Sequence, residues 1–133
     1  MGFIHRRKAE SAFDWEDVPV EAYTGSGNTT ATRRVLIGPR EGAENFAIRY
    51  FEIPPGGTST FEQHPHDQGV VIWRGRARLL LGWDLFEVGP GDVVYIAPNE
   101  QHQFETISDE PLGFICVIPS KEWLAKMERL TAG

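Results

Sequence analysis

The sequence predicts an all-β protein, built from short strands that form a sandwich or a barrel. Segments of four to eight residues rich in β-branched, leucine and aromatic side chains recur from residue 32 to residue 118. Turn clusters such as PPGG, GPGD and APNE separate them, at intervals of roughly ten residues. Helical periodicity is confined to residues 120–133. A regular succession of short strands and turns is typical of β-sandwiches and β-barrels.

The predicted elements follow in chain order. Residues 1–30 have a charged start, Trp15 in an acidic stretch and the loop TGSGNTT, and we predict an arm that packs on the domain. Residues 31–119 should form the barrel. Its predicted strands are TRRVLIG, FAIRYFEI, TSTFEQH, GVVIWRG, ARLLLG, LFEVG, DVVYIA, HQFETI and LGFICVI. Residues 120–133 should form a C-terminal helix, because Ser120 is a suitable N-cap and the spacing of Trp123, Leu124, Met127 and Leu130 makes one apolar face.

Length and composition exclude several classes of function. A chain of 133 residues and 15.0 kDa can bury a core unaided, so a bound metal would serve function rather than folding. A net charge of −6 disfavours general affinity for nucleic acids. No apolar run approaches the roughly 20 residues that span a bilayer, and the start MGFIHRRKAES lacks the apolar region of a secretory signal, which predicts a cytoplasmic protein. The single cysteine, Cys116, lies in an apolar run and is predicted to be a core residue.

Two spaced patterns point to a metal site. The first reads Gly56-x5-Glu62-x-His64-x3-Gln68-x6-Gly75, and the second reads Gly91-x5-Ala97-x-Asn99-x2-His102-x3-Thr106. These intervals resemble the two motifs of the cupin superfamily, G-x5-H-x-H-x3-E-x6-G and G-x5-P-x-G-x2-H-x3-N. The resemblance implies a jelly-roll β-barrel of two packed antiparallel sheets with a metal at its centre.

Strand geometry supports the ligand set that this resemblance implies. Residues two apart on a strand point to the same face, so Glu62 and His64 can converge on one point. Gln68 opens the next strand, and His102 comes from a distant one. If His64 and His66 were the adjacent ligand pair instead, the third ligand position would hold a valine, which cannot coordinate a metal. We therefore predict that Glu62, His64, Gln68 and His102 bind the metal, with His66 in an exposed or supporting position.

This ligand set departs from the usual cupin pattern of three histidines and one glutamate at two places. Glu62 stands where a histidine is expected, and Gln68 stands where the glutamate is expected. One carboxylate is kept, and two oxygen and two nitrogen donors favour manganese, Fe(II), nickel or zinc. A cupin that has lost its metal is the alternative.

Further sequence segments make the resemblance to cupins more specific. YFEIPPGG, RGRARLLLG, HQF and EPLGFICVI are similar to a group of small single-domain bacterial cupins that includes the methylthio-xylulose-phosphate sulfurylases. That group implies manganese chemistry on a sugar phosphate, without fixing the substrate of this chain.

Two classes of function remain open. A four-ligand divalent ion leaves room for substrate oxygens, which suits a lyase or an isomerase acting on a sugar or sugar phosphate, or a dioxygenase if the metal is Fe(II). The alternative is a non-catalytic module that binds or senses a small molecule. Arg49, Arg74, Arg76 and Arg78 are candidates to bind a substrate anion, and His66, Tyr50, Tyr95 and Glu105 are candidates to move protons.

The resemblance also implies a homodimer formed through the sheets. Strands such as GVVIWRG and GFICVI are apolar on both faces, which fits burial between subunits but also burial in a sandwich core.

Overall fold

A computed structural model describes residues 1–23 and 30–132. Within this part of the chain, nine strands precede one α-helix, and a short 3-10 helix, Pro39–Glu41, follows β2. The bounds are β1 Glu21–Tyr23, β2 Ala31–Ile37, β3 Phe46–Ile53, β4 Gln68–Arg74, β5 Ala77–Leu81, β6 Asp84–Val88, β7 Val93–Ile96, β8 His102–Thr106, β9 Leu112–Pro119 and α1 Lys121–Ala132.

The strands form two antiparallel sheets. The larger sheet has the order β1-β2-β3-β9-β4-β7, and the smaller has the order β6-β5-β8. β3 and β9 pair along their full length, from Phe46 opposite Pro119 to Ile53 opposite Leu112. This arrangement confirms the predicted all-β architecture with one C-terminal helix.

Alternation of side chains along the strands defines the core. Phe51 and Ile53 of β3, Val70 and Ile72 of β4 and Phe114 of β9 are buried between the sheets. The alternate residue Tyr50 points to the outer face of the larger sheet. Its ring is nevertheless fully buried, since it lies against the rings of Phe13 and Trp15 from the N-terminal residues.

The prediction of a strand at TSTFEQH is wrong, because this segment is not a regular strand. The structure has only isolated bridges there, between Thr58 and Glu105 and between Glu62 and His102. The Ser59 hydroxyl accepts the hydrogen bond of the Phe104 backbone N–H at 2.8 Å, a group that a regular ladder would pair with a carbonyl. The segment therefore runs beside β8 without completing the ladder.

The C-terminal helix begins where the sequence predicts. The Ser120 hydroxyl accepts a hydrogen bond from the N–H of Trp123 at 2.9 Å, as an N-cap does. The helix lacks the length and apolar character that a membrane crossing needs, and the same holds for any other helix in the described ranges. The predicted TGSGNTT loop lies outside the described residues except for Thr30. The division into arm, barrel and helix stays a prediction.

Candidate metal centre

Three of the four predicted ligands form a tight cluster. One ligand atom from each of Glu62, His64 and His102 lies within 4.8 Å of the other two. Glu62 and His102 face each other directly, because their backbones exchange two hydrogen bonds of 3.0 and 2.9 Å. The rings of His64 and His102 meet edge to face, with their centroids 4.9 Å apart.

A turn residue joins the two motif loops. Asn99 has a positive φ of 63° and occupies the position where the cupin motif has glycine. Asparagine is among the few residues with a side chain that tolerate this conformation. The Asn99 N–H donates to the carbonyl of His64 at 2.7 Å, and its own carbonyl accepts from the Gln63 side chain at 2.8 Å. These bonds hold the His64 loop against the loop that leads to His102.

Both histidines are held in one orientation by backbone carbonyls. Nδ1 of His64 lies 2.7 Å from the carbonyl oxygen of His66, and Nδ1 of His102 lies 2.9 Å from that of Glu100. A carbonyl can only accept, so each Nδ1 carries the proton, and in the neutral ring Nε2 keeps a free lone pair. Fixing the tautomer in this way is typical of metal-binding histidines.

The inward atoms of the cluster are acceptors that lack donors. Nε2 of His102 is buried and has no hydrogen-bond partner among the described residues. Nε2 of His64 faces Oε1 of Gln68 at 3.2 Å, which brings two acceptors together when the imidazole is neutral. The amide of Gln68 is oriented by Cys116, whose Sγ accepts from Nε2 of Gln68 at 2.8 Å. Lone pairs that converge in this way fit a bound cation.

Glu62 and His102 shift each other's pKa. The neighbouring His102 imidazole outweighs burial and lowers the pKa of Glu62. Burial alone would lower the pKa of His102, but the Glu62 carboxylate and the hydrogen bond to the Glu100 carbonyl raise it. Oε2 of Glu62 and Nε2 of His102 are 3.5 Å apart, as in an ion pair.

The cluster opens into a cavity of about 470 Å³ between the sheets. The Phe114 ring stacks on those of Phe51 and Phe104, and the three form an apolar wall. Arg49 is the arginine that lines this cavity. A volume of this size suits a small-molecule ligand.

His66 lies beside the cluster. Its ring stacks on that of His64, with centroids 3.9 Å apart and planes 7° apart, and it also lines the cavity. Burial, and then the charges of His64 and Arg49, lower the pKa of His66. The contact restricts the rotation of the His64 ring.

The other predicted substrate and proton-transfer residues lie outside the cavity. Arg74, Arg76 and Arg78 pair with Glu52, Glu87 and Glu105 respectively. The Tyr50 hydroxyl donates to Glu52, and the Tyr95 hydroxyl donates to Asp67. Of the arginines and proton-transfer candidates, only Arg49 and His66 line the described cavity.

Sequence reasoning missed the contact that Cys116 makes with the site. Cys116 is a buried core residue, as predicted, and burial raises the pKa of its thiol. Its sulfur also accepts hydrogen bonds from Gln68 and, at 3.4 Å, from Arg49. The only available signal was its position opposite Val70 and Arg49 in the sheet, which requires the strand pairing to be known.

Known proteins resemble this chain in sequence and in structure. The Cupin_2 family model, described as a cupin domain, matches residues 49–118. A 1-methylthio-D-xylulose 5-phosphate methylsulfurylase from Rhodospirillum rubrum is 37% identical over 115 residues, which cover 84% of this chain and 72% of that protein.

Two solved structures extend the comparison over almost the whole chain. A cupin-2 domain from Rhodospirillum rubrum has a TM-score of 0.72 and 34% identity, covering 93% of this chain and 90% of its own. A cupin 2 conserved barrel domain protein from Rhodopseudomonas palustris has a TM-score of 0.77 and 28% identity, and the match covers 96% of this chain and 93% of that protein.

Proposed function

This chain belongs to the Cupin_2 family of cupin domains, and from that premise we propose that it is a metal-dependent enzyme acting on a small oxygenated substrate. The proposed ligands are Glu62, His64, Gln68 and His102, and the proposed ion is manganese, Fe(II), nickel or zinc. The observation that carries the proposal is the buried Nε2 of His102, which has no described partner and lies beside the oxygen of Glu62 at the edge of a ligand-sized cavity.

The proposed reaction is elimination or isomerisation of a sugar or sugar phosphate. A divalent ion, when bound, polarises a carbonyl oxygen and lowers the cost of removing a proton from the neighbouring carbon. The name of the Rhodospirillum rubrum relative, a methylsulfurylase of a sugar phosphate, supports this substrate class.

The chain's own residues organise this chemistry. The carbonyls of His66 and Glu100 keep the Nε2 atoms of both histidines free, and Cys116 keeps Oε1 of Gln68 turned inward. The phenylalanine wall excludes water from one side of the cavity, which strengthens electrostatic interactions inside it.

Elemental analysis tests the metal. The protein should be purified without a polyhistidine tag and without added metal, beside Glu62→Ala and the matched control His66→Ala. We expect near-stoichiometric metal in the wild type and in His66→Ala, and little in Glu62→Ala. An empty His66→Ala variant would show that the ligand register is wrong.

Hydrogen exchange tests the reaction. Metal-loaded protein is incubated with ketose phosphates in D2O, and proton NMR follows the hydrogen on the carbon beside the substrate carbonyl. The wild type should exchange this hydrogen for deuterium, and Glu62→Ala should not. Bound metal with no exchange and no turnover of any sugar, with or without oxygen, would favour the non-catalytic binding module.

The proposal includes a cytoplasmic homodimer. On the outer face of the larger sheet, Val93 and Tyr95 of β7, Trp73 of β4 and Val117 of β9 are exposed. Such an apolar face suits a second subunit. Light scattering coupled to size exclusion should give twice the mass of one chain, and the mass of one chain would contradict the dimer.

A further inference from the structure

Arg49 occupies an unusual position for a positive charge. It points from β3 into the cavity, and its guanidinium packs 4.9 Å from the centre of the Phe51 ring. Its Nε is buried and has no hydrogen-bond partner among the described residues, and its described side-chain hydrogen bond goes to the sulfur of Cys116 at 3.4 Å. A thiol is a weak acceptor, so most of the hydrogen-bonding capacity of this guanidinium is unused.

Arg49 also lies next to the candidate metal ligands. The sulfur of Cys116 accepts from Arg49 on one side and from the amide of Gln68 on the other. The guanidinium and the Gln68 side chain are thus separated by a single sulfur atom. A small molecule in the cavity can therefore meet both Arg49 and the metal centre.

The charged side chains that line the cavity balance each other, so a bound divalent ion would leave the cavity positively charged. Glu62 is the one carboxylate among its described lining residues, and Arg49 is the one guanidinium. With a divalent ion in place, Glu62 neutralises only part of the positive charge, and the cavity keeps an excess of about two positive charges at its wall. The chain as a whole carries −6, so the metal-loaded cavity would be a local positive region in an acidic protein.

We propose that Arg49 is the anion-binding residue of this cavity, and that its ligand is a small molecule that bears a phosphate or carboxylate group as well as an oxygen that reaches the metal. Excess positive charge in a partly buried site favours a ligand with the opposite charge. The forked guanidinium matches the two oxygens of such a group. This inference rests on the proposed function for the metal, and it names the substrate class.

Binding assays separate the charge of the ligand from its sugar part. The probes are D-xylulose 5-phosphate, the carboxylate D-xylonate and the neutral sugar D-xylulose, each titrated calorimetrically into metal-loaded protein. We expect at least one of the two anionic probes to bind about tenfold or more tightly than neutral D-xylulose. The better of the two identifies the anion. Equal affinities for all three would overturn the inference.

Arginine variants locate the binding group. Arg49→Met should lower the affinity for the preferred anion about tenfold or more and leave that for D-xylulose unchanged. Arg49→Lys keeps the charge but loses the forked geometry, so its affinity for the preferred anion should lie between that of the wild type and that of Arg49→Met. The matched control is Arg78→Met, which removes the same charge from an exposed pair with Glu105. A loss in Arg78→Met equal to that in Arg49→Met would contradict a specific site.

Metal content and thermal unfolding of every variant keep the two proposals separate. If the wild type binds metal but Arg49→Met binds the anion normally, the inference about Arg49 fails and the metal site stands. If the wild type takes up no metal, the proposed function fails. In that case, titration of the anion into metal-free wild type and metal-free Arg49→Met tests whether Arg49 binds the anion without a metal.

Discussion

Polar side chains on the two faces of β3 differ in whether they have hydrogen-bond partners. On the inner face, Arg49 lies beside the candidate metal centre with no carboxylate partner among the described residues. One residue later, on the outer face, the Tyr50 hydroxyl donates to Glu52 at 2.8 Å, and Arg74 pairs with the same carboxylate at 3.3 Å. The inner groups are oriented but unsatisfied, whereas the outer groups satisfy one another.

The outer network continues into the N-terminal residues. Arg34 of β2 is buried over the ring of Tyr50 and pairs with Asp14 at 2.9 Å. Arg74 packs on the ring of Phe13, 4.0 Å from its centre. The difference between the faces teaches that outer polar groups connect the N-terminal residues to the sheet, whereas inner ones keep unused hydrogen-bonding capacity. Changes to the inner face should therefore alter binding, and changes to the outer face should alter stability.

The largest expected effect is the loss of metal from an inner-face variant. His102→Leu removes the buried Nε2 lone pair and roughly keeps the volume of the side chain. Metal affinity should fall by more than about 100-fold, because even residues that only support metal ligands contribute 10- to 100-fold. The free energy of unfolding of the metal-free protein should change by less than about 1.5 kcal/mol. Competition with a fluorescent chelator and urea unfolding measure the two quantities.

The matched outer-face variant should show the reverse. Arg34→Met keeps the apolar stem but leaves Asp14 without its partner. We expect a loss of about 2 kcal/mol in the free energy of unfolding, less than for a fully buried pair since Asp14 stays partly hydrated. Metal affinity should equal that of the wild type. A variant that lost metal and kept its stability would reverse the distinction between the two faces.

A smaller effect should come from Cys116, which acts on the metal centre through Gln68. Cys116→Val removes the sulfur that orients the amide, and we expect about tenfold weaker metal binding. Cys116→Ser restores an acceptor of similar size and should recover part of the affinity. The absorption spectrum of the Co²⁺-loaded protein gives a second readout, because a displaced Gln68 changes the ligand field. Identical spectra for wild type and Cys116→Val would mean that Cys116 only fills the core.

These contrasts also mark the limit of what the sequence predicts. Strands β2 to β9 were predictable because their composition and turns are local signals, whereas the short β1, Glu21–Tyr23, was not predicted. The candidate ligands were predictable from their spaced motifs, although the segment that carries Glu62 and His64 is not a regular strand. The contact between Cys116 and Gln68 was not predictable, since it depends on the pairing of β9 with β4. The pairing of Arg34 with Asp14 likewise depends on an arm folding back over the sheet. Ser59 interrupts a ladder through its own side chain, which an alternating pattern cannot reveal.

The smallest expected effect is a pH dependence of the outer network. The hydrogen bond from Ser11, and then that from Arg34, lower the pKa of Asp14 below its ordinary value of 3.8. A carboxyl with a lowered pKa in the folded state stabilises the protein above its unfolded pKa, and the stabilisation is lost as the pH falls through the lowered value.

The advantage in stability of wild type over Asp14→Asn should therefore be constant near neutral pH and shrink in acid. The shrinkage should stay below about 1 kcal/mol, because Asp14 is partly hydrated and solvent screens its charge. Urea unfolding of both proteins from pH 7 down to about pH 3 measures it. Metal chelation should not change the result, since the pair lies on the opposite face of the sheet from the candidate metal centre. A pH dependence that vanished on chelation would instead mean that the two faces are coupled, and the separation between binding and stability would fail.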